Sequence, residues 1–360
     1  MSVVVSYKKQ FLAGFLFLII ILFTVEGVTR AYDQLSPYCG IQKIDDVYLD
    51  KDKKNKICTS FFSLVWHFDE NKLYTHMPNQ HLPTININSD GFRGEEISKE
   101  KLKNTYRIFA LGGSTTFSIR AESDEKTWPG FLQTQFNNIK LEKKIEVINA
   151  GVILYSTTQE LKLIKEKIIL FEPDLIILYG GVNDLKKPIG FVPGKSALIN
   201  NLSNFINLYL PFWETLPIIH HSINPIKANY EKIFFDDEEI KNKVSTWKKN
   251  LIEICEYGKK ENFKTVVILQ PILGTGNKPM SDFEKDVFVQ YEDSEIKKYY
   301  QRFADELPEI EKYCSITGDF RGIFDNTEEQ IFFDNDHVNY LGNSMVSEKM
   351  IQTIIKEIKD

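Results

Sequence analysis

Residues 106–117 read Tyr-Arg-Ile-Phe-Ala-Leu-Gly-Gly-Ser-Thr-Thr-Phe. A short apolar run ending on two glycines and a serine is the pattern of a buried strand that delivers a polar group to a sheet edge. Similar runs follow at 145–148, 175–179 and 265–269, with a weaker one near 313–317. Helical periodicity is expected between them, over 126–138, 158–170, 237–259, 283–306 and 341–359. Strands alternating with helices imply right-handed crossovers and a parallel sheet covered on both faces. The expected fold class is therefore α/β, a three-layer α/β/α arrangement around a parallel sheet of about five strands.

In an open parallel sheet, ligands bind outside the carboxyl ends of the strands. The first run ends in Leu111-Gly-Gly-Ser-Thr-Thr-Phe117, the second in Asn149-Ala-Gly151, the third in Tyr179-Gly-Gly-Val-Asn-Asp184. All three deliver small or polar residues to one edge. A later segment, Phe332-Phe-Asp-Asn-Asp-His-Val-Asn-Tyr-Leu-Gly-Asn343, adds a histidine with a carboxylate three residues before it. Asp334 at that spacing can bond the His337 ring, fix its tautomer and stabilise the imidazolium. Asp336 competes for the same ring, but adjacent side chains seldom face each other, so Asp334 is the expected partner.

These parts suit acyl transfer. A serine hydroxyl attacks poorly until an imidazole takes its proton. Ser114 is the expected nucleophile, His337 the base and Asp334 its orienting partner. The oxyanion needs preorganised donors, each worth about 2.7–4 kcal/mol in well-studied cases. The expected donors are the Ser114 amide, the Gly151 amide and the Asn183 side chain, with Gly112 and Gly113 as supports. Plainer roles compete: a helix cap for Ser114, a turn for Gly151, caps for Asn183 and Asp184. Asp184, His220 and His221 are read as structural. Gly190-Phe-Val-Pro-Gly-Lys-Ser196 follows no strand and lacks phosphate-loop spacing, and is rejected as one. Neither cofactor nor metal is expected.

Taken together, these blocks resemble the SGNH hydrolase superfamily, the GDSL-like lipases and esterases, over roughly residues 85–355. The name-giving residues correspond to Ser114, Gly151, Asn183 and His337, and the last block, Asp334-Asn-Asp-His337, to the family's DxxH. The serine block departs from the common Gly-Asp-Ser and reads Gly112-Gly113-Ser114. It looks like the Gly-Gly-Ser-Thr-Thr variant, often preceded by a segment like Asn88-Ser-Asp-Gly-Phe-Arg-Gly94. The resemblance implies a flavodoxin-like domain and ester hydrolysis or acyl transfer.

Outward from this domain, the chain is less regular. Lys8 and Lys9 precede an uncharged apolar run over residues 11–25, ended by Glu26. In lipid such a run satisfies its backbone only as a helix. No small-residue cleavage site follows, so an uncleaved signal anchor is expected over 1–29, and the basic flank places the remainder outside the cytoplasm. An irregular N-terminal extension is expected over 30–100 and the hydrolase-like domain over 101–360. Within it, the Pro- and aromatic-rich stretch 186–236 is expected to form a lid-like insertion. A net charge of −6 with no basic run argues against nucleic acid as a partner. Outside the cytoplasm Cys39 and Cys58 could form a disulfide; buried free thiols are an equal alternative. Cys255, inside an expected helix, is read as a buried free thiol.

The expected function is an extracytoplasmic serine esterase that removes acyl groups, acetyl among them, from a surface glycan or lipid-linked substrate. Two other readings stand beside it: an O-acyltransferase using the same residues, and a non-catalytic glycan-binding or assembly protein that keeps the fold.

Overall fold

The computed structural model describes residues 6–35, 49–68, 73–186, 235–290 and 295–359. Two compact units divide the chain. Of the first, the described part is one helix, α1 (Tyr7–Leu35). Its segment Tyr7–Val28, of 22 residues, is long and apolar enough to cross a membrane, with a mean hydropathy of 2.5 over its most apolar 18 residues. Phe11, Phe15, Leu18, Ile20 and Phe23 are all exposed on it. An exposed apolar surface of this length fits a membrane anchor or a signal sequence.

The second unit begins with α2 (Lys51–Ser63), capped by the Asp50 carboxylate, which accepts from the Lys53 amide at 2.9 Å. Two antiparallel ribbons follow: β1 (Trp66–Phe68) with β2 (Tyr74–His76), and β3 (Gln80–His81) with β4 (Asn86–Ile87). The extension expected to be irregular is thus partly ordered.

The central sheet has five parallel strands: β5 (Thr105–Gly112), β6 (Lys144–Asn149), β7 (Leu175–Gly180), β8 (Lys264–Leu269) and β9 (Ile316–Asp319). Their order across the sheet is β6-β5-β7-β8-β9. That is the 2-1-3-4-5 order of flavodoxin-like folds, and the order reverses beside β5. The α/β expectation holds, with the last strand starting later than 313–317.

Successive side chains of a strand point to opposite faces, and both faces here are buried. On one side, Phe109 and Leu111 pack with Leu163 and Ile164 of α5 (Thr157–Glu166). Trp247, Leu251 and Ile254 of α7 (Asp237–Glu261) join them. On the other, Ile108 and Ala110 pack with Trp128 and Leu132 of α4 (Trp128–Asn137) and Val346 and Met350 of α11 (Tyr340–Lys359). Each buried aliphatic side chain contributes about 1.5–3 kcal/mol. Short helices follow two strands: α3 (Ser114–Phe117) after β5 and α6 (Val182–Lys186) after β7. The helix expected over 283–306 appears as α8 (Asp282–Gln290) and α9 (Ile296–Ala304), with α10 (Leu307–Glu311) beyond. Of the lid-like insertion expected over 186–236, residues 187–234, with His220 and His221, lie outside the described residues.

Cys255 is not a free thiol: it forms a disulfide with Cys314, 59 residues on, at a Cα–Cα distance of 5.0 Å. The helical spacing around Cys255 carried no sign of its partner, because the two meet only through tertiary packing of α7 against the segment before β9. The Cys39–Cys58 pairing left open by the sequence involves Cys39, which lies outside the described residues. A cross-link closing a loop of this length stabilises by about 2–4 kcal/mol. Replacing both Cys255 and Cys314 by serine is therefore expected to lower the urea-unfolding free energy by that amount. An unchanged value would mean the pair is not bonded in solution.

At the start of α5, Asp184 accepts from the Thr157 amide at 3.1 Å and its hydroxyl at 2.5 Å. Burial pushes the Asp184 carboxyl up to about 6, against the lowering effect of those bonds. Glu160, buried nearby, is pushed well above its usual range by burial and then by the charge of Asp184. A carboxyl whose folded pKa lies above its unfolded value stabilises fully below the unfolded value, and that contribution is lost as pH rises through the folded one. Glu160→Gln removes this ionisation. Its melting temperature relative to the native chain is expected to rise from pH 5 to pH 8; a difference constant with pH would refute the burial of a titrating group there.

Candidate active site

Two glycines let β5 turn into α3. Gly112 has φ +152°, and a Cβ there would lie 2.2 Å from Thr116 Oγ1 and 2.3 Å from the Tyr179 carbonyl oxygen of β7. A Cβ on Gly113 would lie 2.3 Å from Asn183 Nδ2. A side chain at 113, such as the aspartate of the common Gly-Asp-Ser block, would displace Asn183 as it sits here. The Asn183 amide instead rests against the serine block and donates to the Tyr155 carbonyl at 2.8 Å.

Ser114 begins α3 and is 7% exposed. Four residues make a helix with no internal stability, so its carbonyls must find outside partners. Asn149 Nδ2 donates to the Thr116 carbonyl at 3.0 Å. Arg93 Nη1 donates to the carbonyls of Phe117 at 2.7 Å and Ser118 at 3.0 Å. The rest of that buried guanidinium binds the Thr84 carbonyl and the Asp124 carboxylate, both at 2.7 Å. The segment 88–94, read from sequence as tight turns, therefore carries the cation that holds the end of α3.

The histidine loop is fastened as firmly. The buried Glu284 carboxylate accepts from the Ile331 and Phe332 amides at 2.9 and 3.1 Å and pairs with Lys278 at 2.7 Å. Asp334 Oδ1 accepts from the amides of Asp336 at 3.0 Å and His337 at 2.8 Å. His337 Nδ1 lies 2.9 Å from both Asp334 oxygens, and His337 Nε2 lies 2.7 Å from Ser114 Oγ. The expected Ser114, His337 and Asp334 are thus brought together in one hydrogen-bonded chain. Asp336 Oδ1 is 4.0 Å from Nδ1 and pairs instead with Lys186 at 3.5 Å.

Burial disfavours the imidazolium of His337, but the charges of Asp334 and Asp336 outweigh it and raise the ring's pKa above its usual value. Burial would likewise raise Asp334, yet His337 and Arg120 hold it well below the ordinary carboxylate range. An anion, an imidazole and a hydroxyl in series can move a proton from serine to ring at little cost.

Gly151 does not present a free donor. Its amide donates to Asn149 Oδ1 at 3.1 Å, and its Cα faces the backbone of α3, where a Cβ would lie 2.3 Å from the Phe117 nitrogen. Asn149 thus ties the Gly151 amide to the Thr116 carbonyl, and the 149–151 turn buttresses the serine helix. Residues that sequence reasoning missed are Arg93, Arg120, Asn149 and Lys186. Arg93 and Asn149 stood inside segments already singled out; Arg120 and Lys186 had no spacing to mark them. Among the described residues, Asp334, Asp336 and His337 offer ligand atoms within 4.8 Å of one another. Arg120 and Lys186 place two cations on those carboxylates, which disfavours a metal ion there.

The sequence matches the GDSL-like Lipase/Acylhydrolase family over residues 108–350, from within β5 to α11. No curated protein matches it. Solved structures are similar at low identity. An acetyl xylan esterase, AlAXEase, is 14% identical, covers 69% of this chain and 99% of its own, and gives a TM-score of 0.42. The acetylxylan esterase Axe2 of Geobacillus stearothermophilus is 12% identical over 70% of this chain and 96% of its own, at 0.41. A putative G-D-S-L family lipolytic protein of Desulfitobacterium hafniense DCB-2 is 12% identical over 69% and 98%, at 0.40. The family match spans most of the chain and takes in the serine, glycine, asparagine and histidine blocks, so the chain belongs to the GDSL-like lipase/acylhydrolase family and is an ester-hydrolysing enzyme.

Proposed function

We propose that this enzyme is an extracytoplasmic serine esterase, anchored by α1, that removes acyl groups such as acetyl from a surface glycan or lipid-linked ester. The observation that carries the reading is the unbroken chain Ser114 Oγ–His337 Nε2 and His337 Nδ1–Asp334, at 2.7 and 2.9 Å. In it, His337 takes the serine proton as Oγ attacks the ester carbonyl. Asp334 keeps the ring in the tautomer whose Nε2 accepts, and steadies the positive charge. The Ser114 amide opens α3, and Asn183 Nδ2 has a second hydrogen beyond the one given to Tyr155. These two donors hold the oxyanion. His337 then protonates the leaving alkoxide, and water attacks the acyl-enzyme with the same base.

Two features support the proposed location. The α1 segment with Lys8 and Lys9 at its start suits an anchor with a cytoplasmic N-terminus. The Cys255–Cys314 disulfide suits an oxidising compartment.

Ser114→Ala is expected to lower kcat for an activated acetyl ester by at least about ten-thousand-fold with the melting temperature unchanged; undiminished turnover would end the reading. For the unmutated enzyme, kcat/KM should rise with pH along a limb centred above 6.5, because the base must be neutral and its pKa is raised. A limb at or below 6.5 would contradict the assignment of His337. Asn183→Ala is expected to cost about 10²–10³ in kcat with little change in KM. Loss in KM alone would remove Asn183 from the oxyanion site.

A further inference from the structure

The carboxylate that orients His337 has an unusual companion. Asp334 Oδ1 already has three donors: the amides of Asp336 and His337 and the His337 ring. Oδ2 shares the ring hydrogen and otherwise meets Arg120 Nη2, at 2.8 Å. Arg120 is 26% exposed at the side chain and Asp334 7%, and the guanidinium lies 5.8 Å over the Phe333 ring. Its backbone belongs to the serine block: the Ile119 amide donates to the Ser114 carbonyl at 3.2 Å and the Ala121 amide to that of Ser118 at 2.8 Å. Arg120 thus joins the segment carrying the nucleophile to the segment carrying the base.

Resting on the esterase reading above, we propose that Arg120 is a positioning residue of the reaction: it holds the outer oxygen of Asp334, keeps that carboxylate on His337, and opposes Asp336 in setting how tightly the ring keeps its proton. Two consequences follow from charge and geometry. Without Arg120, a buried carboxylate oxygen loses its one undivided donor, and the carboxylate is freer to rotate away from the ring. The Asp334 charge, no longer partly neutralised, also grips the imidazolium more strongly, and a ring that keeps its proton cannot serve as base. Asp336, 4.0 Å from Nδ1, acts in the opposite sense and is itself restrained by Lys186 of α6. The charges acting on the ring are those of Asp334, Asp336 and Arg120, and Lys186 reaches it only through its pairing with Asp336.

The test reads the ring directly. In the full-length enzyme, the His337 imidazole is titrated by ¹⁵N NMR, with its signal identified by loss in His337→Gln, alongside the pH dependence of kcat/KM on an activated acetyl ester. Arg120→Gln is expected to move both midpoints up by about half a unit to one unit and to lower kcat at least tenfold. Arg120→Lys should return the midpoint most of the way with only partial recovery of kcat, since a point charge lacks the guanidinium's fork. Asp336→Asn should move both midpoints down. Rate losses with unmoved midpoints in the folded variants would overturn the proposal and leave Arg120 a scaffold residue. If Arg120→Gln does not fold, Arg120→Met, which also removes the charge but keeps the apolar stem, is expected to move both midpoints up while Asp336→Asn moves them down, and unmoved midpoints in both would overturn the proposal. Should the native chain hydrolyse no ester, the esterase reading fails, while the ring titration still judges the coupling.

Discussion

A carboxylate buried as deeply as Asp334 must be matched by donors or it would sooner be protonated, and much of the site is organised around that demand. Its donors come from its own loop, from the His337 ring and from Arg120 beside the serine. Satisfying the charge therefore fixes three things together: the path of the 334–337 turn, the ring orientation, and the separation between the His337 ring and the Ser114 hydroxyl. The Glu284–Lys278 pair carries the constraint outward, because Glu284 receives the Ile331 and Phe332 amides that lead into the turn.

On the other side of the site the constraint is space. β5 and β7 approach so closely at Gly112 that only a residue without Cβ passes Tyr179, and Asn183 comes against Gly113. Parallel pairing of β5 with β7, in register at Gly112 and Tyr179, brings the serine and asparagine blocks side by side. These lie where the strand order reverses, the place such sheets keep for ligands. α3 is too short to hold itself, so Asn149 and Arg93 do it from neighbouring segments. The N-terminal extension is in this sense part of the enzyme's working core.

The strands and the four residue blocks were legible because a parallel sheet buried on both faces leaves continuous apolar runs, and their polar ends are abrupt. Ser114, Asp334 and His337 could be named from such ends and from a three-residue spacing. What escaped is tertiary. The partner of Cys255, the cations on Asp334 and Asp336, and the support of α3 by Asn149 depend on segments distant in sequence. No local period encodes them. Gly151 shows the same limit from the other direction: its type and position at a strand end suited an oxyanion donor, but only the fold reveals that its amide is taken by Asn149.

The account rests on Ser114 as nucleophile with its own amide and Asn183 as the oxyanion donors. A crystal structure of the enzyme after reaction with a fluorophosphonate tests that most directly. The phosphorus should be bonded to Ser114 Oγ, with one phosphoryl oxygen about 2.7–3.1 Å from the Ser114 nitrogen and Asn183 Nδ2, and His337 still on Asp334. An unmodified Ser114, or a phosphoryl oxygen held by the Gly151 amide instead, would contradict it.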